Sequence, residues 1–227
     1  GSAITTQNTQ LFGSDTWNGG AFAFTDKNAG TANKVVEVCA VTVDDGNNGQ
    51  IYSVTYSQNT TSTISKAALT LTANSDNGKV YNGTEQNVSG FAITSGSLQG
   101  TDSVSVDLMA ITAGAKGTHA GTYTATINDA NYTNGNYEIT KVNGSLFIDQ
   151  KEVSLAAAKI YDGNKTLTGT QLSVTTGVGS ETLAYTNATI NSKNVADNSC
   201  NYVKALTLHD RPNGGLAAND QLPTLPP

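Results

Sequence analysis

Charge is scarce in this chain. Charged residues make up 13% of its 227 residues, about half the usual share. Twelve Lys and Arg stand against eighteen Asp and Glu, for a net charge of −6. Nucleic acid is excluded as a partner, because neutralising phosphates takes clustered Lys and Arg. Attachment to a membrane surface by charge is excluded for the same reason. Cysteine is almost missing as well: Cys39 and Cys200 supply neither a disulfide framework nor a zinc spacing. Histidine is represented only by His119 and His209. No apolar run approaches the ~20 residues of a spanning helix, so helical membrane insertion is not expected. No signal-peptide pattern opens the chain, and Gly1-Ser2 reads as a cleavage scar. Helical periodicity is missing too, since Gly and Asn interrupt every apolar pattern of period 3.6.

Thr, Ser, Asn and Gly fill the space that charge leaves, and β-branched residues are abundant. This composition is not a disorder signature. It fits short strands between many turns. Runs such as Lys34-Val35-Val36-Glu37-Val38-Cys39-Ala40-Val41-Thr42-Val43 and Thr122-Tyr123-Thr124-Ala125-Thr126-Ile127 are strands by composition and length. The predicted class is all-β: small antiparallel β-sandwich modules of Ig-like type in tandem, as a linear array. β-grasp-like modules with one helix are the alternative.

The tandem reading rests on internal repeats. Lys79-Val80-Tyr81-Asn82-Gly83 recurs as Lys159-Ile160-Tyr161-Asp162-Gly163, each read as a short strand entering an Asx-Gly turn. Gly13-Ser14-Asp15-Thr16-Trp17, Gly100-Thr101-Asp102-Ser103-Val104 and Gly179-Ser180-Glu181-Thr182-Leu183 form a second landmark. Its Gly takes a left-handed turn position, its acid or hydroxyl caps a backbone N–H, and the apolar residue starts a strand. Gly49-Gln50-Ile51-Tyr52-Ser53-Val54-Thr55 matches Gly135-Asn136-Tyr137-Glu138-Ile139-Thr140 as a closing strand. The first and third modules align at an offset of 166 from Gly13/Gly179 through Lys27/Lys193, and the first and second at 85 from Tyr52/Tyr137 to Lys66/Lys151. The modules are therefore 1–66, 67–150 and 151–227. The first has no Lys-x-Φ-Tyr-x-Gly start, and the third ends in Leu222-Pro223-Thr224-Leu225-Pro226-Pro227 without a final Φ-x-x-Lys strand. Unpaired sheet edges at such ragged ends invite strand exchange between copies.

The motifs of the third module, Lys159 to Gly163, Gly179 to Leu183 and Lys193 to Ala196, resemble the YDG repeat family. The stretch Gly214-Gly215-Leu216-Ala217-Ala218-Asn219-Asp220-Gln221-Leu222-Pro223 is similar to that family's close, but Asp220 stands where the family has Tyr. From Gly13 to Lys66 the first module looks like the later part of another such repeat. The second, with Lys79 to Gly83, His119-Ala120-Gly121-Thr122-Tyr123 and Asn136-Tyr137-Glu138-Ile139, resembles the related MBG repeats. The resemblance implies large bacterial surface adhesins of filamentous-haemagglutinin-like type: a secreted or cell-surface stalk serving adhesion or biofilm formation. It implies neighbouring repeats as partners and no catalytic residue.

Candidate chemistry is sparse. His119 occupies a turn landmark where its equivalents are Asn28 and Asn194, so a turn role outweighs a general base, and His209 sits in a loop. No enzyme is expected, and no cofactor. Calcium is the inorganic candidate, with oxygen ligands in Asp44-Asp45-Gly46-Asn47-Asn48-Gly49 and Asn128-Asp129-Ala130-Asn131. Neither fits the twelve-residue calcium loop, and hairpin turns use the same residues. Ligand-binding candidates are Tyr81, Asn82, Tyr161 and Asp162, as sugar-stacking platforms and loop hydrogen-bonders for a glycan or host surface protein. Repetition at equivalent sites favours a core role for both tyrosines. Trp17, aligned with Leu183 and Val104, is expected in the core. Cys39 and Cys200 fall in different modules, which favours free thiols or pairing between copies over an internal bond.

Overall fold

The computed structural model describes residues 11–212 and 214–226; Gly1-Ser2 lies outside them. The chain divides into two compact units, Gly1–Leu69 with Thr133–Ile139, and Thr70–Tyr132 with Thr140–Pro227. The protein is all-β. Among the described residues the α-helix content is one turn, Val104–Asp107, so the β-grasp alternative lacks its helix.

In the first unit β1 (Thr16–Phe24) and β2 (Gly30–Asp44) form a long antiparallel hairpin, in register from Thr16↔Asp44 to Phe24↔Val36. β3 (Asn59–Ile64) pairs with the other edge of β2. β2 is the β-branched run of the sequence. Few of its side chains are buried: Val43 is, and so is Lys34, ion-paired with Asp26. Trp17, expected in the core, is 43% exposed, and Phe22 and Phe24 are similarly open. The expected closing strand over 49–55 is absent. The Asp45 carboxylate accepts the backbone N–H groups of Asn47, Gly49 and Ile51 at 2.7, 2.8 and 3.1 Å. Those N–H groups are thereby committed to a side chain instead of a ladder.

The second module supplies β4 (Ala67–Ala73), β5 (Asp76–Val80), β6 (Gln86–Ser89), β7 (Phe91–Ser95), β8 (Thr112–Gly117), β9 (Gly121–Asn128), β10 (Tyr137–Val142) and β11 (Gly144–Asp149). They form a three-stranded sheet, β10-β4-β7, and a five-stranded sheet, β5-β11-β9-β8-β6. Leu69, Leu71 and Ala73 on β4, Ala125 and Ile127 on β9, and Leu146 and Ile148 on β11 are buried in strict alternation with more exposed neighbours. This period of two gives each sheet one buried face. The pairing is not wholly antiparallel, since β11 and β5 run parallel.

The third module has β12 (Lys151–Glu152), β13 (Ser154–Ala157), β14 (Leu172–Thr175), β15 (Ala184–Ile190), β16 (Val203–His209) and β17 (Asp220–Gln221). The hairpins β13–β14 and β15–β16 enclose a core of Leu167, Leu172, Ala188, Ile190, Val203 and Leu206, with Leu155 and Val174 packed against it. The strand expected at Lys159-Ile160-Tyr161 is not formed. β17 pairs parallel with β12, Lys151 opposite Asp220. The landmark glycines Gly13, Gly100 and Gly179 have φ of +59°, +59° and +51°, and a Cβ at any of them would meet nothing within 4 Å. The landmark is thus selected by backbone conformation and not by space.

Candidate functional site

The two Φ-Tyr-Asx-Gly motifs fold into the same turn and end in opposite environments. At the first, Asn82 Oδ1 accepts the Thr84 N–H at 3.0 Å and its hydroxyl at 2.8 Å, and Gly83 takes φ +79°. At the second, Asp162 Oδ1 accepts the Asn164 N–H at 3.1 Å, and Gly163 takes φ +78°. Lys159 Nζ lies 2.8 Å from Asp162 and donates to the backbone carbonyls of Asn164 and Thr166. The ammonium hydrogen bond, then the Asn164 N–H, hold the Asp162 carboxyl below the usual carboxylate range.

Tyr161 stands 61% exposed beside the more exposed Ile160. Tyr81 is 2% exposed. Its ring packs with Leu146, Ile148 and Val178, the last a residue of the third module. Its hydroxyl donates to Glu181 Oε1 at 2.6 Å. Burial first, and then that hydrogen bond, push the phenol up to about 12. Tyr81 has no face free for a sugar, whereas Tyr161 has.

Around Tyr81 the second and third modules share a junction. Gly83 faces Val178, where a Cβ would lie 2.6 Å from the valine side chain. Asn219, 1% exposed, accepts the Ala120 N–H at 3.0 Å and donates from Nδ2 to His119 Nδ1 at 3.0 Å. The His119 ring stacks on Tyr81 with centroids 6.4 Å apart, and its carbonyl accepts the Tyr123 hydroxyl. Gln150 Nε2 donates to the Ala218 carbonyl at 3.0 Å. Asp220, 3% exposed, has no hydrogen-bond partner for either carboxylate oxygen among the described residues, and Glu181 Oε2 is likewise buried and unpartnered. Burial, and then the Glu181 charge, push the Asp220 carboxyl up to about 6 against the pull of Lys151. The sequence pattern did not single out this cluster. The available signal was Asp220 itself, an acid where the resemblance expects tyrosine.

The remaining candidates scatter. His209 Nε2 lies 2.8 Å from the Thr186 hydroxyl. Desolvation raises the Asp45 carboxyl, but its backbone donors together bring it below the ordinary value. Asp129 pairs with Lys141 at 2.9 Å, and Asn128 caps the Ala130 N–H. The Asp45 and Asp129 loops therefore spend their oxygens within the chain. Among the described residues no group of three or more His, Cys, Asp and Glu is placed to hold a metal ion. Cys39 and Cys200 are exposed free thiols. A groove of about 750 Å³ runs beside the second turn in the third module. Leu155, Leu167, Ile190 and Val203 contribute apolar lining, and Lys159, Asn198, Asn201 and Tyr202 contribute polar groups.

Residues 69–147 match the MBG domain of the YGX type, and residues 149–225 match the YDG domain. No curated protein and no solved structure matches the chain.

Proposed function

We propose that this chain, an MBG domain followed by a YDG domain, is part of the repeat region of a secreted or surface-anchored bacterial adhesin. It acts there as a stalk in cell adhesion or biofilm formation. The observation that carries this reading is the junction. Val178 of the YDG domain sits in the core that holds Tyr81 of the MBG domain, and Asn219 bonds the MBG turn at His119 and Ala120. Repeats clasped by side chains transmit force, while flexibly tethered ones yield first at the linker. The role is mechanical and not catalytic, and its partners are neighbouring repeats. The Trp17–Phe24 hairpin, with its apolar side chains half exposed, is where a strand from another copy would pair.

A second reading, binding of a glycan or host protein, is favoured by the exposed Tyr161, two residues along the chain from Lys159 of the 750 Å³ groove, and by Tyr202, Asn198 and Asn201 in its lining. Aromatic faces with nearby amides suit sugars. A glycan array run on the folded chain, with single-molecule pulling of the same sample, separates the two. The stalk reading expects a blank array and one joint unfolding event for residues 69–227. Reproducible sugar binding that Tyr161→Ala abolishes would transfer the function to the groove.

A further inference from the structure

Asp220 is the carboxylate at the junction with neither oxygen partnered among the described residues, and the stalk role leaves it unexplained. A carboxylate withdrawn from water normally gathers donors or a cation, because an uncompensated buried charge is expensive. Asp220 is 3% exposed, and neither of its oxygens has a partner among the described residues. Its surroundings make ionisation harder. Glu181 is the acidic group acting on it, with Oε1 holding the Tyr81 hydroxyl and Oε2 buried and unpartnered. Lys151 faces it from β12 as its strand partner, without an ion pair. Tyr81 faces it from the end of β5 as a neutral phenol, and His119 touches the adjoining Asn219. One cation against two carboxylates leaves the cluster short of positive charge, and a proton on Asp220 makes up the difference.

The position of Asp220 in the chain gives that proton a consequence. Asp220 lies on the short segment 217–221. The same segment carries Asn219, which holds the Ala120 N–H and His119 of the MBG domain, and Gln221, whose carbonyl accepts the Val153 N–H at 3.0 Å. We propose that Asp220 is a proton-operated latch between the two repeats: protonated, it lets the 217–221 segment seat against the MBG turn, and ionised, it loosens that seat. The inference concerns the junction alone and stands whether or not the array serves adhesion.

The sign follows from linkage. Asp220 titrates higher in the folded chain, near 6, than in a free carboxyl, 3.8. Its contribution is therefore complete below the free value and is lost as pH rises to the folded one. The opening constant of the latch should rise about tenfold per pH unit between about pH 4 and about pH 6, and then level off.

Hydrogen–deuterium exchange at Ala120 and Val153 in the full chain, corrected for intrinsic rates, reads this opening. The expected result is a loss of protection of about a hundredfold across that window. Asp220→Asn, neutral at every pH, should keep the acid-state protection up to neutrality, and His119→Gln should leave the transition in place. Should Asp220→Asn fail to fold, a carbon-13 titration of the Asp220 carboxyl in the unsubstituted chain decides alone. A midpoint near 6 supports the latch, and one in the ordinary aspartate range overturns it. Protection that does not change with pH overturns it. So does protection that millimolar calcium restores at neutral pH only when Asp220 is present, since the occupant would then be a cation.

Discussion

The hairpins β1–β2 and β15–β16 both follow a Gly-Ser-(Asp/Glu)-Thr landmark and differ in closure. At the offset of 166, Trp17, Phe22 and Phe24 stand where the YDG domain has Leu183, Ala188 and Ile190. The first three are 43%, 48% and 45% exposed, and the second three are 4%, 0% and 8%. Both are antiparallel hairpins, and the exposed one is the longer and more regular, since β15–β16 carries register shifts between Thr186 and Ile190, so strand formation is not what buries the second. The difference is β13–β14, whose Leu155, Leu172 and Val174 lie against β15–β16. A β-hairpin alone is marginal in water and becomes stable when a second layer removes its apolar face from solvent. In these two hairpins, burial comes from the layer placed on the strands and not from the strands themselves.

The sharpest break of that comparison is a cavity. Leu172→Ala removes a side chain that is 4% exposed in the YDG core and should cost about 3 kcal/mol. Phe22→Ala, at the open hairpin, should cost about 1 kcal/mol or less despite deleting more atoms. Urea unfolding of both variants checks the contrast, and equal losses would mean that the first hairpin is covered in solution.

The twin tyrosines give the next effect. Tyr81→Phe takes the donor from Glu181 Oε1 beside the already unpartnered, buried Oε2, at about 1–3 kcal/mol. Tyr161→Phe should be neutral, because that ring is exposed. Thermal melts of the two variants should separate clearly.

The smallest effect should be the same in both regions. Gly13→Ala and Gly179→Ala each force a Cβ into left-handed backbone with open space around it, for about 1 kcal/mol. A much larger loss at Gly179 alone would show that the closed module adds a steric demand.

Turns and strands were largely legible in the sequence, because they depend on local chemistry. Gly13, Gly83, Gly100, Gly163 and Gly179 take left-handed φ, Asn82 and Asp162 cap N–H groups two residues on, and the β-branched run at Lys34 is β2, although Val104 opens a helical turn and not the expected strand. Reading failed where a distant layer decides the outcome. Trp17 aligns with a buried leucine and is exposed, because alignment transmits residue type but not what lies on top of it. Tyr81 and Tyr161 share a motif, but one is buried because the turn at Val178 and Glu181 of the following repeat closes on it. The 49–55 stretch has strand composition, but the Asp45 carboxylate takes two of its N–H groups, Gly49 and Ile51, with that of Asn47 just before it. The Asn219–Asp220 cluster was hidden for a related reason. Its partners Ala120 and His119 lie 99 and 100 residues away, and Tyr81 farther still, and no local pattern encodes such a pairing.

The measurement that tests closure most directly is hydrogen–deuterium exchange of the two hairpins within one sample. Amides of β15 and β16 should exchange at least about a hundredfold more slowly than those of β1 and β2, since protection follows the apolar surface that an opening event exposes. Equal protection of the two hairpins would contradict the claim that the covering layer, and not the repeat motif, makes the stable module.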